Sequence, residues 1–77
     1  MITLEEAIEI AREYRPNIDN GYENKKAYIF SSHEDEGKMG SQPVVVLKET
    51  GEVMLMPMYV ASGKSRNSGD AIREFKF

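Results

Sequence analysis

Residues 43–60 read Pro43-Val44-Val45-Val46-Leu47-Lys48-Glu49-Thr50-Gly51-Glu52-Val53-Met54-Leu55-Met56-Pro57-Met58-Tyr59-Val60, and this stretch decides the fold. Pro43 opens a β-branched run, Val44 to Lys48, of the kind that fills a strand covered on both faces. Glu49-Thr50-Gly51-Glu52 reads as the turn of a hairpin, because glycine takes the positive φ that a tight reversal demands. Val53 to Val60 is expected to return as the partner strand. In a regular strand Met54, Met56 and Met58 share one face, while Val53, Leu55, Pro57 and Tyr59 share the other. Both faces of that strand are then apolar. A single helix covers one face of a small sheet, so the second must be exposed, shielded by loops or covered by another chain.

Upstream of the hairpin, Thr3 followed three residues later by Glu6 is a capping box, which satisfies two orphan backbone donors at a helix start. Ile2 is placed to staple onto Ala7. Leu4, Ala7, Ile8, Ala11 and Tyr14 recur at three- and four-residue spacing and build one apolar stripe, with Ile10 on its flank. Glu5, Glu6, Glu9, Arg12 and Glu13 occupy the outer side, and Pro16 ends the helix at or before Arg15. The spacing predicts a helix over 4–14. Asn17 to Asn24 reads as polar loop, with Asn20-Gly21 a tight-turn signal. Lys25 to Ser31 alternates aromatic and branched residues as a strand does. Ser32 to Gln42 reads as a second loop. Ala61 to Asp70 is a glycine- and serine-rich loop, and Ala71 to Phe77 ends in Phe75 and Phe77 at strand spacing. The expected fold is α+β: one N-terminal helix packed on a three- to four-stranded antiparallel sheet, a single small domain over 1–77.

The chain has 77 residues, 30% charged and 40% hydrophobic, with no cysteine. So short a chain buries only about 60% of the surface it exposes when unfolded, and dimerisation is one route to further burial. Zero cysteines excludes disulfides, thiolate nucleophiles and cysteine-ligated metal, and it favours a reducing compartment. No apolar run approaches the roughly twenty residues needed to cross a bilayer. The start, Met1-Ile2-Thr3-Leu4-Glu5-Glu6, is acidic where a signal peptide is basic and then apolar, so a cytoplasmic location is expected. The net charge of −3 is concentrated in residues 1–24, while residues 61–77 are mildly basic. Phosphate binding needs several clustered cations on one face, so nucleic acid is not an expected partner.

Chemical motifs are scarce. Gly63-Lys64-Ser65 resembles the tail of a phosphate-binding loop, but Met58 stands where the first glycine belongs. His33-Glu34-Asp35-Glu36 lacks the alternate-position oxygens of a calcium loop. One histidine in the chain rules out a two-histidine site within one subunit. Three methionines suggest copper(I) only where neighbouring segments add soft ligands. More often methionine fills an irregular core or makes an adaptable binding surface, and both readings stand for Met54, Met56 and Met58. Ser31, Ser32 and His33 are adjacent without the glycine-flanked turn of a nucleophile. No catalytic residue, cofactor or metal is assigned.

Thr3-Leu4-Glu5-Glu6-Ala7, Tyr28-Ile29-Phe30, and Pro43-Val44-Val45-Val46 running into Thr50-Gly51-Glu52-Val53 resemble the small α+β immunity proteins encoded beside bacterial polymorphic toxins. The resemblance covers the helix and the central hairpin, about half the chain. That group's typical tryptophan is missing, and Glu74-Phe75-Lys76-Phe77 stands where it has a terminal helix. The helix start and the Thr-Gly-Glu-Val turn are also similar to PepSY-type modules, which are usually exported or membrane-attached. The first resemblance implies a non-enzymatic bacterial module that occludes a toxin by surface complementarity. The expected contacts are Glu34, Asp35 and Glu36 as a steering acidic loop, with Met58 and Tyr59 as apolar anchors. The alternative is a homo-oligomeric structural or regulatory protein, a homodimer built on the methionine strand.

Overall fold

The computed structural model describes residues 1–32, 42–63, 69 and 71–77. The chain is α+β. Helix α1 (Leu4–Tyr14) is followed by β1 (Asn20–Glu23), β2 (Ala27–Ser31), β3 (Val44–Leu47), β4 (Val53–Leu55), a second helix α2 (Met56–Ala61) and β5 (Arg73–Lys76). The strands form one antiparallel sheet in the order β4-β3-β2-β1-β5. That is a strand more than the sequence pattern suggests, and a second helix.

α1 begins as its capping box requires. Thr3 Oγ1 accepts from the Glu6 N–H at 3.2 Å, and the Glu6 carboxylate accepts from the Thr3 N–H at 3.2 Å. The last turn closes with the Arg15 N–H donating to the Ala11 carbonyl at 2.9 Å, next to Pro16. Ala7 and Ala11 are fully buried, so the helix axis comes close to the sheet. The Ile2 N–H donates to the Lys48 carbonyl at 2.9 Å, tying the entrance of α1 to the hairpin end.

Register sorts the side chains into two layers. Tyr28, Phe30, Val44 and Val46 face α1 with Ala7, Ala11 and Ile18, and Ile2, Leu4, Ile8, Ile10, Val53 and Phe75 pack around them. Ala27, Ile29, Val45 and Leu47 point the other way, where Tyr59 of α2 lies on them, flanked by Tyr22, Met54 and Met56. β3 is therefore buried along its whole length, as its unbroken valine run demands. The second apolar face is covered by the chain itself, through α2.

Three expectations need correction. Val53 to Val60 is not one strand: pairing ends at Leu55, and Pro57 then occupies the first turn of α2. Proline cannot supply a ladder N–H, but the first helical turn asks for none, so the chain leaves the sheet there and coils. Met54, Met56 and Met58 consequently do not share a strand face. Asn17 to Asn24 is not all loop, because Asn20–Glu23 is β1. The reversal lies at Asn24 rather than at Asn20-Gly21. Asn24 Oδ1 accepts from the Lys26 and Ala27 N–H groups at 2.9 and 2.8 Å, an Asx turn joining β1 to β2. The 49–52 turn stands as expected, with Gly51 at φ 76° and its N–H donating to the Leu47 carbonyl at 2.8 Å.

Candidate binding surface

α2 follows β4 at the end of the sheet remote from β5. Its inner side is set by Tyr59, 2% exposed over Ala27, Ile29, Val45 and Leu47. At a helical 100° per residue, the neighbours of a fully inward residue flank it and the remainder faces outward. Pro57, Met58, Val60 and Ala61 are accordingly exposed. Leu55, the last residue of β4, lies opposite Val44 and so on the α1 side of the sheet. Met58 is 61%, Val60 58% and Leu55 43% exposed, and no residue from Val53 to Ser62 carries a charge. The helix ends where the Ser62 N–H donates to the Met58 carbonyl at 2.9 Å and Gly63, at φ 78°, takes the left-handed conformation.

The five candidate contacts fare differently. Met58 lies on the surface. Tyr59 does not, and its role as an exposed anchor is corrected, because the ring fills the space between α2 and the sheet. Glu34, Asp35 and Glu36 lie outside the described residues, as do His33, Lys64 and Ser65. The structure therefore exposes Met58 on α2 beside Pro57 and Val60; the strand reading set Pro57 on the face opposite Met58 and gave Val60 no face. The signal for them was present: a proline at position 57 and a glycine at position 63 bracket one short helix.

Two polar features accompany this layer. Among the described residues the Tyr59 hydroxyl and Ser32 Oγ are buried without a hydrogen-bond partner. Burial pushes the Tyr22 phenol up from its ordinary value, and the neighbouring Tyr59 adds to the effect. On the α1 side, Glu23 is bridged by Lys48 through one carboxylate oxygen and by Arg73 Nε through the other, at 2.7 Å. The hydrogen bond from Lys48 holds the Glu23 carboxyl below its usual range; burial opposes this, and Arg73 reinforces it. Lys48 also lies 5.2 Å from the centre of the Tyr28 ring. This triad pins β1, β5 and the end of β3 together, and each charge in it is satisfied by another.

A groove of about 430 Å³ beside the hairpin is lined by residues including Met1, Lys25, Lys26, Glu49 and Glu52. Its charged lining mixes three lysines with two glutamates, and among the described residues it brings no histidine to a hydroxyl. Ser31 Oγ donates instead to Asn20 Oδ1 at 2.8 Å, a contact between β2 and β1. Among the described residues no group of three or more histidine, aspartate or glutamate side chains could hold a metal ion. Among them no helix is long and apolar enough to cross a membrane. Compared with protein-family models, curated proteins and solved structures, the chain matches none.

Proposed function

We propose that this chain is a non-enzymatic, cytoplasmic protein-binding module of bacterial origin, an immunity protein that occludes a toxin by covering part of its surface. The observation that carries the reading is the uncharged outer side of α2, where Pro57, Met58 and Val60 are exposed. Single exposed apolar residues are ordinary, but three on one short uncharged helix have the composition of an interface centre. Methionine and proline suit such a centre, the first through a side chain that repacks against a partner, the second through a backbone already ordered. Glu34, Asp35 and Glu36 are assigned to electrostatic steering of the partner, which raises association rate more than final affinity.

The test uses the tagged full-length chain beside a Met58→Glu/Val60→Glu variant of unchanged melting temperature. Both are passed over native-host lysate at low and high salt. One stoichiometric protein, held by the wild type and lost by the variant, is expected. Equal recovery by both chains would remove α2 from the interface. Neutralising the three acids should slow association and flatten its salt dependence, and unchanged rates at low salt would end the steering assignment.

A further inference from the structure

We propose that β5 is a self-association edge, pairing antiparallel with β5 of a second copy of this chain about a twofold axis through Phe75. The proposal concerns the end of the sheet opposite α2 and does not rest on the toxin reading.

Among the described residues β5 is an outer strand, joined on one side only, to β1. The Phe77 N–H donates to the Asp19 carbonyl at 2.8 Å, and Phe75 lies opposite Gly21 in the same register. Backbone groups alternate along a strand, so those of Arg73, Phe75 and Phe77 turn inward to β1. Those of Glu74 and Lys76 turn outward, and among the described residues no strand pairs with them. Glu74 and Lys76 are exposed, and their side chains share the sheet face opposite Phe75.

Antiparallel pairing of two copies must set outward groups against outward groups. Only registers that place Glu74 or Lys76 opposite Glu74 or Lys76 of the second copy meet that condition. Glu74 facing Glu74, or Lys76 facing Lys76, puts like charges directly across the ladder, which is unfavourable. The remaining register places Glu74 opposite Lys76 twice, once on each side of the axis. It also places Phe75 against Phe75 on the α1 face, beside Phe30, whose ring centre is 5.7 Å from that of Phe75. Phe77, 41% exposed, and Arg73 are brought opposite each other across the same junction. The pairing forms about four interchain hydrogen bonds. Its area is that of a single strand, so the contact belongs to the weak, reversible class. A dimer of this kind carries its two α2 surfaces at its far ends and leaves both free.

Sedimentation velocity of the full chain, from micromolar to near-millimolar concentration, tests this. The mass is expected to rise from 8.7 kDa toward that of a dimer. Glu74→Lys and Lys76→Glu each convert both opposed pairs to like charges and should weaken association about tenfold or more. The double exchange Glu74→Lys/Lys76→Glu restores opposite charges in the same register and should recover wild-type association. A chain monomeric throughout overturns the proposal. So does a dimer indifferent to the single changes, or a double exchange that fails to rescue. A dimer lost instead on Met58→Glu would place the self-contact on α2.

Discussion

Replacing Gly21 by alanine tests the packing of β1 most directly. Gly21 is the only residue of β1 that is fully enclosed, lying between β2 and β5. Its φ is not in the left-handed region, unlike those of Gly51, Gly63 and Gly69, so the backbone itself tolerates a side chain. Space does not. A Cβ there would stand 2.4 Å from the Ile29 carbonyl oxygen, 2.9 Å from the Phe75 ring and 3.0 Å from the Phe30 ring. The two aromatic rings close over the glycine and supply the apolar surface it lacks. Overpacking of this kind costs about 1–3 kcal/mol, and a backbone atom as the nearest neighbour points to the upper end. The lower unfolded-state entropy of alanine returns about 0.4–1 kcal/mol. The expected net loss is about 2 kcal/mol, or a melting temperature lower by about 8–16 °C for a domain this small. Thermal and urea unfolding followed by circular dichroism measure it. Gly51→Ala is the internal control, since its Cβ would meet Ile2 and Ile10 at ordinary distances of 3.6 and 3.7 Å while φ is 76°. Its cost, about 1 kcal/mol, is one of backbone strain, and Gly51→Asn should recover part of it because asparagine tolerates that region. A Gly21→Ala protein within 0.5 kcal/mol of wild type would refute the enclosed-glycine account and with it the placement of Phe75 over β1.

Thr3→Ala removes the side-chain acceptor of the capping box, and chemical denaturation should show a loss of about 1 kcal/mol. Glu23 has a folded-state pKa below its unfolded value, so its stabilisation is present above the unfolded pKa and is lost as pH falls through the folded one. Glu23→Gln should therefore lower stability near neutral pH by about 1–3 kcal/mol and flatten the acid limb of the stability–pH curve. An unchanged acid limb would show that the triad does not drive it. Tyr59→Phe deletes a buried hydroxyl that has no partner among the described residues, so melting should be unchanged or raised, by up to about 1 kcal/mol in stability; a clear loss would reveal a bond to the rest of the chain.

What could be read from the sequence follows from how local each signal is. Thr3, Glu6 and Pro16 act within one or two helical turns, so the bounds of α1 were legible without the rest of the molecule. The valine run of β3 and the Thr50-Gly51 reversal are equally self-contained. β1 was hidden because Asn20-Gly21-Tyr22-Glu23 has poor strand propensity, and it is a strand only because β2 and β5 pair with it from both sides. Gly21, a turn signal on its own, is required there by two phenylalanines, one of them 54 positions away in the chain. α2 was hidden by a collision of periods. Met54 to Tyr59 alternates in a way that satisfies a strand, while Pro57 and Gly63 satisfy a six-residue helix. Length and edge position decide between them: β4 lies at the border of the sheet, where among the described residues no further strand rewards continued extension, whereas coiling lays Tyr59 over Val45 and Leu47. The apolar face that had to be exposed, shielded by loops or covered by another chain is thus covered by six residues of this one. The closure is incomplete in a specific way, because so short a helix turns Met58 and Val60 outward when it turns Tyr59 in. The same geometry that satisfies the core creates the candidate surface, and changes confined to Met58 and Val60 can test binding without touching the fold.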